Sequence, residues 1–155
     1  MKTVNKIKNA LLLTTITTLV GCTTVADMAG YDTATLNTDA AKSYSQVISK
    51  ASGQGAVDNT SATAIRVKNV FNRMKPYAVR ANTTGVPFDW QVTVIRSPEL
   101  NAWAMPGGKM AFYTGIVEKL KLTDAEIAAI MGHEMTNALS EHSKKEKKKK
   151  ILTGL

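Results

Sequence analysis

Gly132-His133-Glu134-Met135-Thr136-Asn137 gathers an imidazole, a carboxylate and an amide on one short segment. Two histidines at i and i+4 of a helix share a face and can grip one zinc ion. A glutamate at i+1, about 100° further round the axis, then sits beside the metal without binding it. Such a carboxylate takes a proton from metal-bound water and passes it to the leaving amine. His133 and Glu134 occupy the first two of these positions, and Asn137 stands where the second histidine is expected. An amide oxygen is a weak neutral ligand beside an imidazole nitrogen, and a hydrolytic zinc site normally has three protein ligands plus water. A lone His-Glu pair on a helix is more often structural or incidental, so the segment by itself has little specificity.

The surrounding residues predict the helix that this chemistry needs. Thr123-Asp124-Ala125-Glu126 is a capping box, and Ile127, Ile130, Met131, Ala138 and Leu139 follow at helical spacing. An ionisable pair set between Met131 and Met135 is costly to bury without a purpose. Upstream, Ala40, Tyr44, Val47, Ile48 and Ala51 give one apolar face over Asp39 to Ala51. The stretch from Ser52 to Thr60 reads as a loop. Ile65, Val70, Phe71, Met74, Tyr77 and Ala78 mark a second helix from Ser61 to Ala81, which Pro76 should kink or divide. Trp90 to Arg96 alternates like a strand, and Ala102 to Met105 and Lys109 to Tyr113 flank a Pro106-Gly107-Gly108 turn. A short helix from Gly115 to Lys121 leads to the capping box. The order is α+β: helices, a small three-stranded sheet, then the motif helix.

Three segments in sequence carry a wider likeness. Asn101-Ala102-Trp103-Ala104-Met105-Pro106-Gly107-Gly108 is followed by Lys109-Met110-Ala111-Phe112-Tyr113-Thr114-Gly115, and Leu122 through Glu134 follows. In that order they resemble the M48 family of zinc metallopeptidases, of the periplasmic lipoprotein type, over roughly residues 60–145. The resemblance implies a zincin-like domain, of which this chain holds the N-terminal part. It implies one zinc ion per domain, His133 and position 137 as ligands, Glu134 as general base, and a third ligand, a glutamate on a later helix. Two departures follow: position 137 is Asn, and the region for the third ligand is missing, so weak zinc binding is expected. His142 does not replace a ligand, since nine residues of helix turn it to the face opposite His133. The same resemblance lays the strand from Asn101 along the substrate cleft. There Asn101, Ala102, Trp103 and Ala104 would hold an extended substrate through backbone hydrogen bonds. The plainer alternative is a hairpin whose Trp103 and Met105 side chains fill core.

The front of the chain reads as an export signal. Lys2, Lys6 and Lys8 precede an eleven-residue apolar stretch, Ala10 to Val20, too short and too rich in threonine to span a membrane. Leu19-Val20-Gly21-Cys22 looks like a bacterial lipobox, which implies removal of residues 1–21 and acylation of Cys22. Thr23, rather than Asp, after the cysteine favours lipid anchoring at the outer membrane, facing the periplasm. Residues 22–37 would tether lipid to a peptidase domain at 38–155, incomplete at its C-terminal end. The plain alternative is a buried lone cysteine after a short helix. With one cysteine, no internal disulfide forms.

The formal charge of +8 suggests a nucleic-acid partner until it is located. Three of those charges lie in the signal and five in the run Lys144 to Lys150, while the eleven basic and eleven acidic residues between Asn9 and Ser143 balance. No basic face with interleaved aromatics remains, so nucleic acid is excluded as a partner. The lysine run reads as a solvated tail, and its abrupt end also fits a truncated or frame-shifted product.

The expected function is that of a membrane-anchored zinc metalloendopeptidase of the bacterial envelope. It would act on unfolded or misassembled envelope proteins, with little or no turnover in this chain. The alternatives are a non-catalytic peptide-binding lipoprotein with a vestigial metal site, and an envelope structural protein with no ligand.

Overall fold

The structure, a computed structural model, describes residues 32–140. Cys22, His142 and the lysine run lie outside the described residues. Four helices and a three-stranded sheet are present among them: α1 (Thr33–Gly53), α2 (Ala62–Ala81), β1 (Gln91–Ile95), β2 (Ala102–Met105), β3 (Lys109–Tyr113), α3 (Thr114–Lys119) and α4 (Asp124–Leu139). The α+β order expected from the sequence is the order observed.

Each long helix starts on a side-chain cap. The carboxylate of Asp32 accepts from Thr35 N at 3.0 Å and from Thr35 Oγ1 at 2.7 Å. That cap starts α1 at Thr33, six residues ahead of the expected Asp39, and Leu36 is buried. Residues 33–37, expected in the tether, therefore belong to the first helix. Ser61 caps α2, and Thr123 with Glu126 forms the reciprocal box that opens α4.

Helix α2 runs unbroken through Pro76, which the sequence reading expected to kink or divide it. Its buried stripe is also narrower than expected. Ala64, Val67, Val70, Phe71 and Ala78 are buried, whereas Ile65 is 51% and Tyr77 69% exposed. Each of these two lies one residue, about 100°, off the buried stripe. Tyr77 instead takes the Arg80 guanidinium over its ring, 4.6 Å from the centroid.

The sheet order is β1-β3-β2, with β3 parallel to β1 and antiparallel to β2. Alternation along β3 divides two apolar layers. Met110 and Phe112 join Val67, Val70, Ile127 and Met131 in the main core, on the side of α2 and α4. Ala111 and Ile95 face the other way, with Ala51 of α1 and the flanking Trp103 and Tyr113. The sheet is thus enclosed by α2 and α4 on one face and by α1 on the other.

Candidate active site

Helix α4 packs on both α2 and β2, which brings the motif to the edge strand of the sheet. Ile127, Met131, Met135 and Ala138 are its buried residues. Gly132, a weak helix former in the sequence, has a packing role. A Cβ there would stand 3.2 Å from Met74 Cε, so its absence lets α2 and α4 approach. His133 is exposed, and Glu134 and Asn137 are half-buried beside it. The Asn137 amide donates to Glu134 Oε2 through Nδ2 at 3.5 Å, a long contact.

These residues do not fit a zinc shell. The Asn137 amide turns its donor end to Glu134, which leaves its carbonyl oxygen as the only ligand it can offer. No group of three His, Cys, Asp or Glu side chains capable of holding a metal forms among the described residues. One exposed imidazole and one neutral amide oxygen fall short of three strong protein ligands.

Strand β2, expected from the resemblance to lie along a substrate cleft, is an edge strand of the sheet. Tyr113 N donates to Asn101 O at 3.1 Å. In an antiparallel pair, directly bonded residues alternate with unbonded ones. With Trp103 opposite Ala111 and Met105 opposite Lys109, the inward bonds fall on Asn101, Trp103 and Met105. The backbone groups of Ala102 and Ala104 therefore point to the free edge of the sheet. Their methyl groups pack on the main core, and the Trp103 side chain turns to the α1 face. There Trp103 meets Tyr44 edge-on, ring centroids 6.1 Å apart, and donates from Nε1 to Tyr113 Oη at 3.4 Å. Trp103 is thus half-buried against the core, as the plainer reading of the hairpin has it, whereas Met105, named with it there, belongs to neither apolar cluster; the edge strand still presents main-chain groups. Asn101 is exposed at the head of the strand.

Other polar residues went unnoticed in the sequence. Lys109 is buried, and its ammonium donates to the exposed Asp89 carboxylate. Tyr44 Oη bonds Thr93 Oγ1 at 2.6 Å and donates to Met110 O at 3.2 Å, and burial pushes its hydroxyl above the ordinary phenol range. The Pro-Gly-Gly turn was the one available signal. Gly107 and Gly108 both take positive φ, at 83° and 88°, and a Cβ on Gly108 would meet the Trp90 ring at 2.8 Å.

Known proteins resemble this chain in sequence. The chain is 35% identical to the mitochondrial metalloendopeptidase OMA1 of Arabidopsis thaliana over 68 residues, 44% of this chain and 13% of that protein. It is 34% identical to metalloprotease LoiP of Escherichia coli (strain K12) over 68 residues, 44% of this chain and 25% of LoiP. With metalloprotease YcaL of the same bacterium, identity is 29% over 157 residues, 91% of this chain and 58% of YcaL. The matched part of the chain thus spans less than two thirds of each of these relatives. No solved structure matches. The model of peptidase family M48 matches residues 61–152, which take in α2, the whole sheet and the motif helix, and the chain belongs to that metallopeptidase family.

Proposed function

We propose that this chain is a metalloendopeptidase by descent, built to cleave extended polypeptide, with little or no turnover of its own. The observation that carries this reading is the packing of α4, with His133 and Glu134, against an edge strand whose Ala102 and Ala104 present free backbone groups. Glu134 is the base and His133 the one strong ligand. Asn137 spoils the ligand set, and because ligands act together, losing one loses most of the activity. The lipobox at Cys22 supports lipid anchoring at the outer membrane facing the periplasm. The substrates would then be unfolded or misassembled envelope proteins, as part of protein quality control.

The test measures bound zinc and casein cleavage for three forms. These are the unaltered chain, Asn137→His, and Asn137→His joined to the C-terminal part of YcaL. The last form alone is expected to cleave, and chelation stops it. EDTA-sensitive cleavage by the unaltered chain would refute the inactivity.

A second reading is a non-catalytic lipoprotein that holds extended peptide, its metal site vestigial. The Asn137–Glu134 contact favours it, because an amide, and not a metal ligand, lies beside one oxygen of the carboxylate. Peptide binding that ignores chelators supports this reading, and stoichiometric zinc in the purified protein counts against it.

A further inference from the structure

A cavity of about 610 Å³ opens between α1, the loop before β1 and the tip of the β2–β3 hairpin. It lies on the α1 face of the sheet, the face opposite His133 and Glu134, since Lys109 in its wall alternates with the core-facing Met110. Asn37 also lines it. Neither Nδ2 nor Oδ1 of Asn37 has a hydrogen-bond partner, and both are shut off from water. The side chain lies under the turn: a Cβ on Gly107 would stand 3.1 Å from Asn37 Cβ and Cγ. A buried amide with both ends unpaired is uncommon and asks for a partner.

Lys109 supplies the second half of the site. Its side chain is only 9% exposed, while that of its partner Asp89 is 70% exposed. An ammonium has three donors, and the single carboxylate it meets here is mostly in water. Lys42 adds a second positive charge at the wall, and Val86 and Pro87 give it an apolar part.

We propose that this cavity binds the carboxylate end of a short peptide. The Asn37 amide turns about its side-chain torsion to pair with the last peptide bond, donating to the carbonyl and accepting from the N–H. Lys109 takes the terminal carboxylate, sharing or displacing Asp89. A simple anion could accept from Nδ2 of Asn37 but would leave Oδ1 without a donor, and a capped amide would leave Lys109 with Asp89 as its one carboxylate. A ligand with a peptide bond next to a carboxylate answers both. The inference stands whether or not this chain cleaves peptides.

The test is an NMR titration of the full ¹⁵N-labelled chain with N-acetyl-alanyl-alanine, its C-terminal amide, and acetate. The free acid should shift the Asn37 side-chain NH₂ and the Gly107 N–H saturably, and the amide should bind at least about tenfold more weakly. Asn37→Ala should abolish the response. Asp89→Asn, which releases Lys109 from its competitor, should tighten binding. No shift at these positions at about 10 mM acid would overturn the proposal. So would equal affinity for the amide or for acetate, or shifts confined to residues 102–105. If Asn37→Ala fails to fold, acid against amide on the unaltered chain decides alone.

Discussion

At position 137 an imidazole would offer a nitrogen lone pair to a metal, whereas the amide present offers one weak oxygen and two donors. One of those donors already points at Glu134. Asn137 thus touches both the ligand set and the proposed base, but no group of three His, Cys, Asp or Glu that could hold a metal forms among the described residues, which is why restoring the histidine alone should not restore turnover. The lost ligand position was legible in the sequence because His133, Glu134 and Asn137 share one helix, where spacing fixes geometry, whereas the contact to Glu134 was not. Asp58 was not legible, since its role depends on where a loop runs. It is 1% exposed, and it accepts from Ser61 N at 3.0 Å and Thr60 N at 3.1 Å with Arg96 at 3.7 Å. The bonds from Ser61, helped by the Arg96 charge, hold its carboxyl below the ordinary range. A lowered folded pKa gives stability that is present above the unfolded value and is lost as pH falls through the folded one. Asp58→Asn should therefore melt below the unaltered chain at neutral pH, with the gap closing as pH drops below about 4. Thermal melts across that window check it, and a gap that persists into acid would assign the role to shape instead of charge.

Local signals carried the elements well. The capping box set the start of α4, and the Pro-Gly-Gly turn set both strands of the hairpin, because each feature acts within a few residues. Thr123→Ala should cost about 1 kcal/mol, the usual worth of such a cap. The start of α1 and the course of α2 depart from the sequence reading for two separate reasons. Asp32 is a good cap with no apolar run immediately after it to announce a helix, and tertiary packing carries α2 through Pro76. Gly115 shows the limit more sharply. Nothing in the sequence singles it out, yet a Cβ there would stand 2.5 Å from the Pro98 carbonyl carbon and 2.6 Å from Glu99 O. Backbone atoms cannot swing aside as a side-chain end can. Gly115→Ala should thus destabilise more than Thr123→Ala, whereas Gly53→Ala, which meets nothing within 4 Å, should not destabilise by crowding. Denaturant midpoints of the three variants rank them.

For the molecule as a whole, β2 is the shared boundary of two regions. Its alanines face the helix that carries Glu134, its Trp103 faces α1, and the hairpin tip it enters closes over Asn37. The main-chain groups of Ala102 and Ala104 are all that the strand presents along its free edge, so an extended peptide docking there must pair with them. Ala104→Pro removes one outward N–H while leaving the inward bonds of Trp103 and Met105 in place. Losing that hydrogen bond should weaken binding of an extended peptide about tenfold. Binding of N-acetyl-alanyl-alanine at Asn37 should be unchanged, because that cavity lies on the other face of the sheet. Fluorescence anisotropy of a labelled, unfolded casein fragment reads the first effect and the amide NMR titration the second. Equal loss at both would mean that the proline has disturbed the hairpin itself, and unchanged casein binding would place the peptide away from the β2 edge.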